Sequence, residues 1–317
     1  MISVIVPCKN RLNKIKLCIH SILKAKDYAL KNNVNEDFEI VIVNDHSDEG
    51  FKEALLEEFP EIRIVDSDGK GPGYARNLGI QESLGTYLFF TDSDCVVSED
   101  WILKGYESFI QSKSLVIQGV PWLFQKNENV YLGTQEEKLY EIMFTTYLYG
   151  ENLTKMTDSR NLLIHKDIVK VLGREVFSEK TSKATAESRV FGNRCISHGI
   201  TILFDADVKI YHEDSLEMGG VCRQKYRHGS GRVEIWNGVP EFDYLEERYF
   251  TNPIQNGIDK EYIVPSHFAF LLGYFQALND KVEYDRFMKF TNEIFEKYGL
   301  ELNNFPYLVE MVASKQW

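Results

Sequence analysis

Tyr87-Leu88-Phe89-Phe90-Thr91-Asp92-Ser93-Asp94 is the stretch whose reading decides the fold. An apolar run of strand character delivers two carboxylates, one residue apart, to the point where a strand ends and the chain turns. In open α/β sheets ligands bind beyond the carboxyl ends of the strands, and a hard divalent cation carrying a diphosphate takes oxygen ligands from fixed backbone. Asp94 suits such a metal, and Asp92 a ribose or a metal-bound water. A solvated turn after a buried strand is the other reading of Asp-Ser-Asp.

Working outward, Ile2 to Pro7 reads as a buried strand, and Leu12, Ile15, Ile19, Ile22 and Leu23 give residues 10–30 a helical period. Phe38 to Val43 is a second strand, ending in the turn formers and helix caps Asn44-Asp45-His46-Ser47-Asp48. A short helix over 50–59, a third strand from Ile62 to Val65 and a helix from Gly71 to Leu84 complete the alternation. The pattern predicts an α/β fold with a parallel sheet covered on both faces. Right-handed crossovers then bring Pro7 to Asn10, Asp45, the Gly71 turn and Asp92 to Asp94 to one rim.

Composition narrows the class. The 317 residues are 44% hydrophobic and 26% charged, ordinary for a globular enzyme and unlike disordered or membrane chains. A net charge of −12 argues against nucleic acid as a partner, because phosphate binding needs a basic surface. Five scattered cysteines without a Cys-x-x-Cys spacing predict reduced thiols and a cytoplasmic protein. Ile2 to Val6, closed by Pro7 and followed by Lys9 and Arg11, reads as a strand and not a signal peptide.

Four segments in order, Ser3-Val4-Ile5-Val6-Pro7-Cys8-Lys9-Asn10, Val41-Ile42-Val43-Asn44-Asp45-His46-Ser47, Gly71-Pro72-Gly73-Tyr74-Ala75-Arg76-Asn77 and Asp92-Ser93-Asp94, resemble the GT-A glycosyltransferases of family 2. The resemblance implies a Rossmann-like mixed sheet flanked by helices, a nucleotide-diphosphate sugar donor, a divalent metal and transfer with inversion. It places Asp45 on the nucleotide base, although the residue alone equally suits capping the next helix. Gly71 lets backbone approach a ligand at a helix amino terminus. Arg76 sits early in that helix, where the dipole disfavours a cation; by resemblance it reaches the base or phosphates. Pro7 and Asn10 line the same base pocket, and Asp92, Ser93 and Asp94 face the donor.

Further along, Leu115 to Val120 reads as a strand and Gln135 to Tyr149 as a helix. Asp158-Ser159-Arg160-Asn161-Leu162-Leu163-Ile164 is similar to the family's Asn-containing strand beside the sugar, followed by a short helix from Lys166 to Leu172. Gly173-Arg174-Glu175-Val176-Phe177 departs from the usual Gly-Gly-Phe-Asp type turn. An inverting transfer needs a carboxylate to take the acceptor proton. Relatives supply it from a Glu-Asp pair opening a helix; here Glu187 is kept and Ser188 replaces the aspartate. Glu187 is therefore the candidate base by resemblance, ordinary Glu enrichment in a first turn is the other reading, and Glu175, Glu179 or Asp158 are substitutes. Thr201 to Phe204 and Val208 to Tyr211 read as a strand pair ending in His212. By resemblance His212 completes the metal site with Asp94, holding Mn²⁺ or Mg²⁺ together with diphosphate oxygens and water.

Beyond residue 214 the chain changes character. Residues 222–232 concentrate cations, which suits a solvated helix face or a surface for a phosphate-bearing acceptor. Glu241 to Asp259 reads as loop, Tyr262 to Leu278 as an apolar helix too interrupted to span a membrane, and Glu283 to Tyr298 as an amphipathic helix. These helices suit packing on the catalytic domain, oligomerisation or peripheral contact with the inner face of a membrane. The expected organisation is a catalytic domain over 1–213, divided into a nucleotide half (1–112) and an acceptor half (113–213), with a helical extension over 214–317. The expected partners are a donor, UDP-sugar favoured, and a saccharide, glycolipid or other hydroxyl acceptor, in surface polysaccharide or glycolipid synthesis. A nucleotidyltransferase would want a glycine-rich loop after the first strand, which residues 7–11 lack; a catalytically lapsed sugar-nucleotide-binding or docking protein is the alternative, suggested by Ser188.

Overall fold

In chain order the elements begin β1 (Ile2–Cys8), α1 (Leu12–Lys31), β2 (Phe38–Asp45), α2 (Phe51–Glu58), β3 (Arg63–Ser67), α3 (Pro72–Glu82), β4 (Tyr87–Phe90), β5 (Cys95–Val97) and α4 (Trp101–Ser112). They continue β6 (Val116–Gln125), α5 (Val130–Thr145), β7 (Leu148–Tyr149), β8 (Leu153–Thr154), β9 (Leu162–His165), α6 (Ile168–Leu172), α7 (Ala186–Ser197) and β10 (Leu203–Glu213). The last α-helices are α8 (Met218–Ser230), α9 (Phe242–Glu246), α10 (Asn252–Gln255), α11 (Lys260–Leu278), α12 (Lys281–Lys297) and α13 (Pro306–Ala313). This computed structural model describes residues 1–125, 129–180, 186–213, 217–236 and 238–315. Two compact units emerge, residues 1–125 with 144–213 and residues 126–143 with 214–317, so the stretch 126–143 groups with the helical extension.

In the first unit the strands run β3-β2-β1-β4-β9-β6-β10-β8-β7, with β5 paired to β10. The β3-β2-β1-β4 portion is parallel, as the alternation of strand and helix predicts. β9 lies antiparallel to both β4 and β6 and makes the sheet mixed, as the resemblance implies. Successive side chains serve opposite faces: Val4, Val6 and Phe89 join Ile15, Ile19, Ile22 and Trp101 of α1 and α4. Ile5, Leu88 and Phe90 join Ala75 and Ile80 of α3 with Phe177 and Phe191. A strand core buried on both faces explains the continuous apolar runs that carried the sequence reading.

Three expectations need correction. The strand pair expected at 201–211 is one strand, β10, because Asp205 accepts the Asp207 N–H at 2.9 Å and absorbs the polar interruption as a bulge within the pairing with β6. The helix expected over 135–149 runs from Val130 to Thr145; Leu148–Tyr149 instead forms a hairpin with Leu153–Thr154, turned by the left-handed Gly150 and Asn152. The loop expected over 241–259 is largely helical, with α9, a π-helical turn over Glu247–Thr251 and α10. Leu245, Phe250 and Ile258 are buried in the second unit, and Pro253 stands at the start of α10, where its missing N–H is harmless.

The second unit is organised on α11, buried from Tyr262 to Gln276. α8 meets it backbone to backbone: a Cβ on Gly273 would lie 2.9 Å from the Tyr226 carbonyl carbon, and one on Gly229 2.7 Å from that of Phe270. Lys225 of α8 donates to Glu136 of α5 at 2.9 Å, and the Tyr262 hydroxyl donates to the same carboxylate. Among the described residues no helix is long and apolar enough to cross a membrane.

His267 of α11 gives this unit a pH dependence. Its Nδ1 donates to the Tyr249 carbonyl, and burial pushes its pKa from 6.5 down to about 3, against that hydrogen bond and with the help of Lys225 and Arg248. Between those values the unfolded chain binds a proton that the folded chain refuses, so stability falls as pH falls, by up to about 1.4 kcal/mol per pH unit. Urea unfolding measured from about pH 7 to about pH 4 is expected to show a shallower loss in His267→Gln than in the parent.

Candidate active site

The ends of β1 and β2 are stitched together. Asn10 N–H donates to Ser47 Oγ at 2.8 Å, Asp48 N–H to Asn10 Oδ1 at 2.8 Å, and Ser47 N–H to Asn44 Oδ1 at 3.1 Å. The stitching holds Asn10 and Arg11 in consecutive left-handed conformations, φ 56° and 70°, a strain of about 1–2 kcal/mol per residue. Pro7, half-buried, leads into this turn. Asp45, at the end of β2, is buried and accepts the Ser67 hydroxyl at 2.7 Å, so it neither caps α2 nor lies open. Gly71, φ 96°, precedes α3, and Gly73 leaves no room for a side chain, since a Cβ would lie 3.1 Å from the Ser178 carbonyl carbon.

Beyond β4 the chain turns at once, Cys95 N–H closing on the Asp92 carbonyl at 3.0 Å. Cys8, at the end of β1, donates its thiol to the Asn10 carbonyl at 3.7 Å and is pushed up to about 11 by burial, with buried Ser93 pulling the other way. Arg76 of α3 is enclosed and bridges two carboxylates, Asp92 at 2.8 Å and Glu187 at 2.9 Å. Burial works against its charge, and Asp92 and Glu187 more than restore it. Glu187, in the first turn of α7, has a side chain only 3% exposed. The preceding residues of the expected helix opening, 184 and 185, lie outside the described residues. Asn77, next to Arg76, grips the Phe177 backbone through its N–H at 2.9 Å and its carbonyl at 2.8 Å and donates to Glu179 at 2.8 Å.

Sheet register joins the other two residues. β5 pairs antiparallel with β10 so that Cys95 stands opposite His212, which sets Asp94 beside the imidazole. Asp94 Oδ2 lies 3.6 Å from His212 Nε2, and the same oxygen accepts from the Arg11 guanidinium. Burial would raise the Asp94 carboxyl, but the His212 hydrogen bond and charge, Arg11 and its own backbone N–H hold it well below the usual carboxylate range. His212 is buried with its ring edge-on to Phe124, and its Nδ1 has no hydrogen-bond partner. Among the described residues no group of three or more His, Cys, Asp or Glu side chains gathers. A carboxylate 3.6 Å from the Nε2 of a buried imidazole fits a divalent ion such as Mn²⁺ whose other positions would be filled by ligand oxygens and water.

Two arginines join the site that sequence reasoning did not single out. Arg11 stands at the amino end of α1, where a cation is as misplaced as Arg76 is in α3; the same dipole argument applied one helix earlier finds it. Arg160 chelates Asp158 through Nε at 3.0 Å and Nη2 at 2.7 Å. Burial raises the Asp158 carboxyl, while Arg160, with a smaller share from His212, brings it below its ordinary value. Asp158 N–H is held by Gln118 at 2.7 Å, and Asn161 spans Val120, Val208 and the Trp101 indole N–H. The residues thus fall into two ion-paired clusters, Arg76 with Asp92 and Glu187, and Asp94 with Arg11 and His212, while the Glu175 carboxylate accepts the Glu179 N–H at 3.2 Å.

A family model described as glycosyl transferase family 2 matches residues 3–173. Glycosyltransferase AglE of Haloferax volcanii is 24% identical over 241 residues, 74% of this chain and 74% of its own length. Glycosyltransferase GlyA of Streptococcus pneumoniae is 26% identical over 168 residues, 51% of this chain and 23% of its own length. The chain thus spans three quarters of the first relative and less than a quarter of the second. Among solved structures, mannosyltransferase PcManGT from Pyrobaculum calidifontis, in complex with GDP-Man and Mn²⁺, superposes with a TM-score of 0.52 at 14% identity, over 100% of this chain and 87% of that one. S. aureus TarS in complex with UDP-GlcNAc gives 0.50 at 18% identity, over 95% and 93%.

Proposed function

The chain belongs to glycosyl transferase family 2, and from that premise we propose that it moves a sugar from a nucleoside-diphosphate donor to an acceptor hydroxyl with inversion. The observation that carries this reading is the meeting of Asp94 and His212 at 3.6 Å, on the unit whose rim also holds Asn10, Asp45 and Gly71. Donor complexes of the two fold neighbours, one with GDP-Man and Mn²⁺ and one with UDP-GlcNAc, support a nucleotide sugar as the substrate class. Pro7, Asn10 and Asp45 form the proposed base pocket, Gly71 the close backbone approach, and Asp92 and Ser93 the sugar and ribose side. Asp94 and His212 would hold Mn²⁺ or Mg²⁺, which when bound supplies positive charge for the departing diphosphate. UDP is the nucleotide we favour.

Arg76 orders the donor side by fixing Asp92 and ties it to Glu187, the carboxylate proposed for the base. A second reading rests on exposure: the Asp158 side chain is 20% exposed against 3% for Glu187. It assigns proton removal to Asp158 and leaves Glu187 to position Arg76. Surface polysaccharide and glycolipid acceptors, and a peripheral place at the inner face of a membrane, remain part of the proposal. A catalytically lapsed sugar-nucleotide-binding protein is the outcome the test must be able to return.

Calorimetric titration of UDP, GDP and dTDP with and without Mn²⁺, followed by donor turnover, is the test. One diphosphate is expected to bind in a metal-dependent way, with turnover lost in either Glu187→Gln or Asp158→Asn while donor affinity is kept. Metal-independent binding, or none, would overturn the transferase reading; binding without turnover would identify the lapsed form.

A further inference from the structure

Arg11 is placed at some expense and for no structural return. Its backbone is left-handed, its side chain is 48% exposed, it offers α1 no side-chain cap, and its charge stands at the helix end the dipole makes positive. What it does reach is Asp94 Oδ2, the oxygen that also lies nearest His212 Nε2. We infer that Arg11 and a divalent cation compete for Asp94, and that the arginine displaced by the metal turns its guanidinium to the donor diphosphate.

The inference rests on the reading of Asp94 and His212 as the metal pair. A cation between them must coordinate the carboxylate that Arg11 occupies, and two positive charges cannot share one oxygen without repulsion. The guanidinium is a planar fork matched to phosphate oxygens, carried on a half-exposed side chain that can swing to a new partner. Arg11 thereby sets a low affinity for the bare ion and a higher one for the ion with diphosphate. The protein would select the metal–diphosphate complex over free metal, as a positioning residue does when it exchanges one partner for another.

The two affinities should move in opposite directions. In Arg11→Gln, Mn²⁺ alone, followed by the electron paramagnetic resonance of the free ion, is expected to bind about fivefold more tightly, the range of a partly exposed ion pair. UDP in the presence of Mn²⁺ is expected to bind about tenfold more weakly in the same variant, the loss of a charge-assisted contact. Arg11→Asn, whose side chain tolerates the left-handed backbone, serves as the second variant and should behave alike. If Mn²⁺ affinity falls or stays level in both variants while Asp94→Asn abolishes it, the competition is overturned and the metal pair stands. Mn²⁺ binding indifferent to Asp94→Asn overturns both.

Discussion

Arg76→Met is expected to lower the unfolding free energy by about 3–5 kcal/mol and to abolish turnover. Arg76 is 3% exposed and spans Asp92 at 2.8 Å and Glu187 at 2.9 Å, so the substitution removes the compensating charge beside a Glu187 side chain that is itself 3% exposed. Removing one partner of a buried ion pair leaves a desolvated charge, whereas replacing both with apolar groups of similar volume is often close to neutral. The double variant Arg76→Met with Glu187→Met is therefore expected to recover most of the lost stability. Asp92, 30% exposed, can hydrate when its partner goes and should not prevent that recovery. Turnover should stay lost in the double variant. Denaturant unfolding of both variants beside a turnover assay separates the two effects, and a single variant as stable as the parent would show that Arg76 holds neither carboxylate.

The rim was legible because buried parallel strands write themselves as apolar runs, and their ends as turn formers: Val6-Pro7, Val43-Asn44-Asp45 and Phe90-Thr91-Asp92 each announce the change. The pairing of Asp94 with His212 was available only through family resemblance. It depends on the register of β5 against β10, with Cys95 opposite His212, and no local pattern encodes a register between distant strands. Arg76 was legible as a misplaced cation but not as a bridge, since Glu187 reaches it only through the packing of α7 near α3. The bulge at Asp205 and the helical turns between Phe242 and Gln255 were missed for the converse reason: polar or proline residues that look like breaks are satisfied locally, by an Asp205 side chain or a first-turn Pro253.

Asp94→Asn should leave the fold nearly intact and lower kcat/KM by about 10²–10³, the usual consequence of removing one group that stabilises developing charge. The substitution is isosteric, and its partners can adjust: Arg11 is 48% exposed and the Asp94 side chain itself reaches solvent at 15%. That separates it from Arg76, whose partner Glu187 is enclosed. An amide oxygen still coordinates a cation but carries no net charge, so it no longer offsets the ion's desolvation or holds it against Arg11. The loss should thus appear in metal-dependent nucleotide binding as much as in turnover, and excess Mn²⁺ should restore part of it. His212→Ala is expected to give the same pattern with smaller amplitude, because an imidazole ligand, unlike a carboxylate, brings no negative charge to the ion. Should Asp94→Asn lose activity yet bind the diphosphate with unchanged metal dependence, Asp94 would act on the sugar and not on the ion, and the metal would have to be held elsewhere on the rim.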